Sequence, residues 1–344
     1  MGATDPVVNR SMKVAIIATA LPIALILIDH FLWLSPSLIG SAGALRRTLY
    51  FPWIVVETTL LAWVAGRFLG VTLFGWMFFL WGEALVGIHA YGASHGMMSH
   101  QYADLATTVI SAQIGFLVAW AILGDVAVAW RLACGLVAIT GVVFLSSKVE
   151  TSWEGELLPL IQALAGLIVA MVCLTLRLGR FQMLNLNEGS GGGRDRGQVF
   201  RFGVKHMLVW TAALAPLMVV LRGLEMIALR RVGMVDAYPA GLICGCIALI
   251  TLAAIWLTLG SGLLALRVVG FIGAIGGATL LMRTQSKDWL AQYGPWPSMR
   301  LIRFSIEMLD LWWAWFAMLG GLLAALFVFL WAAGYRLARM TPTS

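Results

Sequence analysis

The sequence predicts an all-α polytopic membrane protein with about ten transmembrane helices. Two observations predict it. Hydrophobic residues make up 61% of the 344-residue chain and charged residues only 11%, against about 25% charged in an ordinary soluble domain. The apolar residues also fall into successive runs of roughly the 20 residues that cross hydrocarbon as a helix. Backbone groups without partners are intolerable there, so the runs are helices and not isolated strands.

Taken in order, the runs are residues 14–34, 49–65, 68–90, 103–123, 126–145, 157–176, 207–221, 237–259, 262–281 and 309–333. Arg10 and Lys13 precede the first, which is long enough to span and has no Ala-x-Ala end. It reads as a retained helix and not a cleaved leader. Trp33, Trp153, Trp289 and Trp296 stand near predicted span ends, where indoles favour the interface. Cys134, Cys173, Cys244 and Cys246 all lie inside apolar runs and read as small hydrophobes, with no disulfide framework. The one clear break is residues 185–198, "NLNEGSGGGRDRGQ", a Gly- and Ser-rich linker.

A net charge of +7 in a soluble protein would suggest nucleic acid. Here the basic residues sit between apolar runs, so the membrane surface and topology account for them and no nucleic-acid partner is expected. Arg177, Arg180, Arg194, Arg196, Arg201 and Lys205 gather around the linker. The positive-inside rule puts that segment in the cytoplasm. With ten spans, both termini are then cytoplasmic, as expected for a bacterial inner-membrane protein. Arg222, Arg230 and Arg231, and further on Arg283, Lys287, Arg300 and Arg303, are left facing outward.

Two stretches look like copies of one hairpin. Residues 119–148, "AWAILGDVAVAWRLACGLVAITGVVFLSSK", align with residues 257–284, "LTLGSGLLALRVVGFIGAIGGATLLMRT". Leu123-Gly124-Asp125 falls on Leu259-Gly260-Ser261, Arg131 near Arg267, Gly135 on Gly270 and Gly141 on Gly276. Each reads as two helices around a tight Leu-Gly turn, with a small-residue seam that lets backbones approach.

Residues 102–148, with Gly135, Gly141, Val142 and Leu145 after the Leu-Gly-Asp break, resemble the end of the first repeat in the drug/metabolite transporter superfamily, EamA-like branch. Asp125 stands where that family has Glu. Residues 154–180 resemble the start of its second repeat, and the likeness as a whole runs over residues 68–180. The resemblance implies ten helices in two inverted repeats of about five, with both ends cytoplasmic. It divides the chain into a first repeat (1–148), the start of the second (149–184), a cytoplasmic linker (185–204) and the remainder with a C-terminal helix (205–344). Three features depart from the pattern. The family's Pro in the fourth helix is absent, Gln113 lying in that region. The second hairpin copy ends near Met282, leaving a further helix, and the outer loop "TQSKDWLAQYGPWPSMRLIRFS" is long.

Ionisable residues inside spans are the first candidates for function, because each costs about 2.5–3.5 kcal/mol at bilayer centre and is usually paired or used. They are Asp29 and His30, Glu57, and Glu83 and His89. Glu57 is nearest the middle of its helix. Asp29 and Glu83 each sit about fifteen residues along theirs, roughly 22 Å at 1.5 Å per residue. The three acids could line one outward-open polar cavity, and a proton-coupled mechanism would need such a buried carboxyl. Gln113 and Gln162, in the fourth and sixth spans, could bond a substrate or tie two helices together. The substrate-binding set is therefore Glu57, Glu83, Asp29, His89, Gln113 and Gln162. Trp81, Trp120 and Trp210 read as packing residues before cavity walls. His89, His95 and His100 lie six and five apart around Gly92 and Gly96, a loop spacing, so no metal is expected.

No phosphate-binding Gly-x-x-x-x-Gly-Lys, His-Glu-x-x-His or Gly-x-Ser-x-Gly occurs, so no catalytic residue or cofactor is assigned. The leading expectation is a secondary transporter of a small-molecule metabolite, with the lipid bilayer as its surroundings and oligomeric state left open. Two alternatives stand beside it. "ALILIDHFLW" is similar to the Asp-His helix ending of polytopic acyltransferases, which would make the chain a membrane enzyme. The Trp-rich "LDLWWAWFAML" suits a non-catalytic subunit of a membrane complex.

Overall fold

A computed structural model describes residues 43–70, 103–124, 157–179, 181–185, 237–295 and 300–339, with a few single positions within 20–28 and 75–79. These residues are mostly helical. In chain order they form α1 (Gly43–Val64), a π-helical turn (Ala65–Leu69), α2 (Ala103–Leu123), α3 (Leu157–Leu178), β1 (Phe181–Asn185), α4 (Ala237–Leu259), α5 (Leu264–Tyr293), α6 (Arg300–Glu307), α7 (Trp312–Ala332) and β2 (Tyr335–Arg339). Four segments are long and apolar enough to cross a membrane: Pro52–Leu69, Tyr238–Leu259, Leu264–Tyr293 and Trp312–Ala332. The chain is a membrane protein. The predicted spans at 14–34, 126–145 and 207–221 lie outside the described residues, apart from single positions in the first.

α7 is the axis. It is buried on nearly every side and touches α1, α2, α4 and α5, while α3 closes the ring between α2 and α4. Contacts along α7 fix the sense of its neighbours. A Cβ added at Gly321 would meet Val55 of α1 at 3.2 Å, and one at Gly66 would run into the Phe329 carbonyl. Gly115 of α2 faces Leu323, and Phe116 lies edge-on to Phe327 at 5.2 Å. Ile250 of α4 faces Gly320, and the end of α4 touches β2. α1, α2 and α4 therefore run parallel to α7. α3 runs the same way, since Gly166 faces Ile114 and Arg177 reaches Ile122 and Gly124. α5 runs back: Phe271 and Ile275 face Gly320, and Ser286 meets Trp312.

Lipid tails are as apolar as leucine, so close packing rather than water exclusion holds such helices together. The aromatic layer shows it. Phe79 stacks on Phe329 at 4.7 Å, and Trp76 lies 4.6 Å from Trp120. Trp120 is thus a packing residue, as its sequence context suggests; Trp81 and Trp210 lie outside the described residues. Cys173, Cys244 and Cys246 are buried thiols outside any disulfide.

Several boundaries differ from the sequence reading. Phe68 belongs to the π-helical turn that ends α1 and not to the start of a third span. Residues 284–293 of the expected outer loop continue α5 as helix, and Arg300–Glu307 form α6. Ser286 there receives the buried Trp312 indole N–H at 3.1 Å, and Arg283 pairs with Asp310 at 3.3 Å. Trp289 is buried edge-on against Tyr238. The seam expected at Gly270 and Gly276 is half present: Gly270 accommodates the Trp256 ring, whereas Gly276 faces open space. The tight Leu-Gly turn holds between α4 and α5, where Gly262 takes φ 109. α2 and α4, the described first arms of the two hairpin copies, run in the same sense, so that alignment relates parallel and not inverted helices.

β1 and β2 pair antiparallel, from Phe181 against Arg339 to Asn185 against Tyr335. No strand was expected. The ribbon follows the C-terminal ends of α3 and α7, beyond the spans, where backbone pairing need not be helical. Asn185, the first linker residue of the sequence reading, ends β1.

Candidate functional site in the middle layer of the bundle

α1 carries two faces. Ile54, Leu61, Ala62 and Ala65 are buried, while Val56, Leu60 and Trp63 are 40% or more exposed. Positions three and four apart share a helix face, so the first set points into the bundle and the second outward. Glu57 and Thr58 fall in the middle of the inward set. Glu57 is 1% exposed and Thr58 is fully buried. The helix thus turns its carboxyl inward and leaves leucine, valine and tryptophan outside, the arrangement expected of an ionisable group in a bilayer.

The contacts along α7 also give depth. Val55 is level with Gly321, so Glu57 lies about 3 Å further along, level with Leu322 or Leu323 at the midpoint of α7. Gly115 of α2 meets Leu323 and the Thr251 hydroxyl of α4, each at 3.2 Å from a Cβ built there. Thr251 is fully buried and Ser111 nearly so. Glu57, Thr58 and Thr251 therefore occupy one layer through the centre of the bundle, on α1 and α4, with Ser111 of α2 about a turn before it. Gln113, half-buried on α2, is in the same layer. Gly166 faces Ile114 across the α2–α3 contact, and that register brings position 162 level with about position 110, nearly one turn before Gln113. Positions 113 and 162, which the sequence reading assigns to separate halves, are on adjacent parallel helices, about a turn apart in depth.

The hydroxyls differ in how they are used. Thr251 donates to the Ile247 carbonyl at 2.8 Å and Thr59 to the Val55 carbonyl at 2.6 Å, the usual back-bond of a helical threonine. The Thr58 hydroxyl has no hydrogen-bond partner among the described residues. Buried hydroxyls are normally satisfied, so the Thr58 hydroxyl is placed to meet a polar group beside Glu57.

Asp29, Glu83 and His89, and with them His30, His95 and His100, lie outside the described residues. Among the described residues no three His, Cys, Asp or Glu side chains converge as metal ligands would. Thr58 and Thr251 were missed because threonine is common in apolar helices. The signal for Thr58 was its place next to Glu57 on the inward face. No protein-family model matches the chain, and neither a curated protein nor a solved structure matches it.

Proposed function

We propose that the protein is a secondary transporter that passes a small polar metabolite through the middle of the bundle, with Glu57 as the membrane-embedded acid of its binding site. One observation carries this: a carboxyl on the inward face of α1, at the mid-depth of α7, in a layer that also holds Thr58 and Gln113. An acid at that depth is costly unless it serves binding or ion coupling. Transporters commonly bind substrate near the bilayer midplane.

The helix directions suit a ten-helix plan. α1, α2, α3 and α4 start at one end of the bundle and finish at the other, so each connection between them begins and ends on opposite sides. Under a five-plus-five inverted arrangement α2 would correspond to α5, and these two run in opposite senses. The similarity to the drug/metabolite transporter superfamily belongs to this reading.

The test is flux. Purified protein in sealed vesicles is given a panel of labelled amino acids, nucleosides and vitamins, with and without a pH gradient. Protein-dependent uptake of at least one compound is expected, reduced tenfold or more by Glu57→Gln, about the 1.4 kcal/mol of one lost charged contact. Undiminished uptake by a folded Glu57→Gln variant sinks the assignment.

A further inference from the structure

We propose that Arg267 and Arg336 form a binding site for the phosphate headgroup of an anionic phospholipid, at the end of the bundle where α4 and α7 finish. Both guanidiniums are held in place from below. Arg267 donates from one terminal nitrogen to the Leu257 and Gly260 carbonyls, both at 2.8 Å, closing the C-terminal end of α4. Arg336, on β2, donates to the Trp331 carbonyl at 3.0 Å and the Tyr335 carbonyl at 2.6 Å, and lies 5.3 Å above the Trp331 ring. The end of α4 touches β2, which brings the two arginines into one neighbourhood.

Each guanidinium has five N–H donors in a planar fork. Among the described residues each commits only one terminal nitrogen, and the buried Nε of Arg267 has no partner there. Among the described residues neither arginine forms an ion pair; the salt bridges there are Arg283–Asp310 and Arg303–Glu307, at the opposite end. Two cations with uncommitted donors thus share this end of the bundle. Burial, and then the charge of Arg267, hold the Arg336 guanidinium below its ordinary value. A phosphate group beside them would accept from their uncommitted terminal nitrogens and offset the repulsion, the kind of anion a guanidinium fork binds best.

The surroundings favour a lipid over a free anion. Leu263 is 78% exposed, Leu264 60% and Trp331 43%. Exposed leucines and a half-exposed indole at this end of the bundle suit acyl chains and the headgroup boundary. A soluble phosphate would gain nothing from them.

The experiment uses the full-length protein in phosphatidylcholine vesicles carrying trace spin-labelled phosphatidylglycerol or spin-labelled phosphatidylcholine. The motionally restricted fraction reads out preference. Wild type is expected to favour phosphatidylglycerol by about fivefold per arginine, the ~1 kcal/mol a basic residue gains near an anionic surface. R336Q, on the ribbon outside the spans, should lose about half of that preference on a logarithmic scale. R267Q, which also opens the α4 end, is read only if it keeps its helical circular dichroism; R303Q at the far end should retain the full preference. No preference in wild type, or an unchanged preference in R336Q, overturns the proposal. Displacement of the labelled lipid by millimolar inorganic phosphate overturns the lipid assignment in favour of a free-phosphate site.

Discussion

At the scale of single residues, arginine does work here that the hydropathy of the chain hides. The last carbonyls of a helix have no partner inside it, and in a membrane that debt is heavy. α2 and α4 both end at a Leu-Gly pair, and both ends are closed by a guanidinium from another element. Arg177 of α3 donates to Ile122 at 2.6 Å and to Gly124 at 3.0 Å; Arg267 of α5 does the same for α4. The positive charge also complements the negative end of each helix. Arg177→Met should lower the unfolding free energy by about 1.5–3 kcal/mol, the range for hydrogen bonds to a charged group, as measured by titration with a denaturing detergent. An unchanged midpoint would mean that Gln182, 3.4 Å from the Gly124 carbonyl, closes the end by itself. The sequence made Glu57 visible because a carboxyl in an apolar run is rare. It hid the capping role of Arg177, because a basic residue after a span reads first as a topology signal.

At the scale of elements, glycines separate packed faces from bare ones. Gly66 lies where α1 passes into its π-helical turn, and any Cβ there meets the Phe329 carbonyl and the Ala332 methyl of α7. Backbone cannot yield as a side-chain tip can. Gly66→Val should therefore cost about 1–3 kcal/mol, the usual range for overpacking. Gly276 on α5 meets nothing within 4 Å. Gly276→Ala should be neutral or stabilising by up to ~1 kcal/mol, because alanine holds a helix better than glycine. Both values come from detergent-unfolding midpoints; a large loss from Gly276→Ala would show that the face is covered in the working protein. The element ends also show what pattern reading can and cannot find. Residues 103–123 and 237–259 match α2 and α4 because a Leu-Gly pair stops each. α5 was cut short at 281 because Arg283, Thr284, Gln285, Ser286 and Lys287 end the apolar run. The helix itself continues to 30 residues, about 45 Å at 1.5 Å per residue. That exceeds the roughly 30 Å of hydrocarbon, so its polar last turns stand beyond it. The ribbon was invisible because five residues of strand at each site, "FQMLN" and "YRLAR", are too short for a period to declare itself.

At the scale of the whole molecule, the helix senses convert a charge count into an orientation. α1, α2, α3, α4 and α7 finish at one end, and there the described residues include Arg67, Arg177, Arg267, Arg336 and Arg339 and no acid. At the other end, Arg46, Arg47, Arg283, Lys287, Arg300 and Arg303 are mixed with Asp104, Asp288, Glu307 and Asp310. Counting Lys and Arg alone, as the positive-inside rule does, the two ends are nearly equal, which is why the sequence left several basic residues facing outward. The linker breaks the tie. The segment with Arg194, Arg196, Arg201 and Lys205 follows β1 in sequence, and β1 pairs with β2 at the end where α3 and α7 finish. That end should be cytoplasmic. The prediction is read with single cysteines placed at Ser344 and Asp288 in a background where Cys134 is replaced by serine; the buried Cys173, Cys244 and Cys246 stay unreactive. In intact cells a membrane-impermeant maleimide should modify position 288 and spare position 344, and inverted vesicles should reverse the pattern. The opposite result would turn the bundle over, and the Arg267–Arg336 pair would then face the outer leaflet.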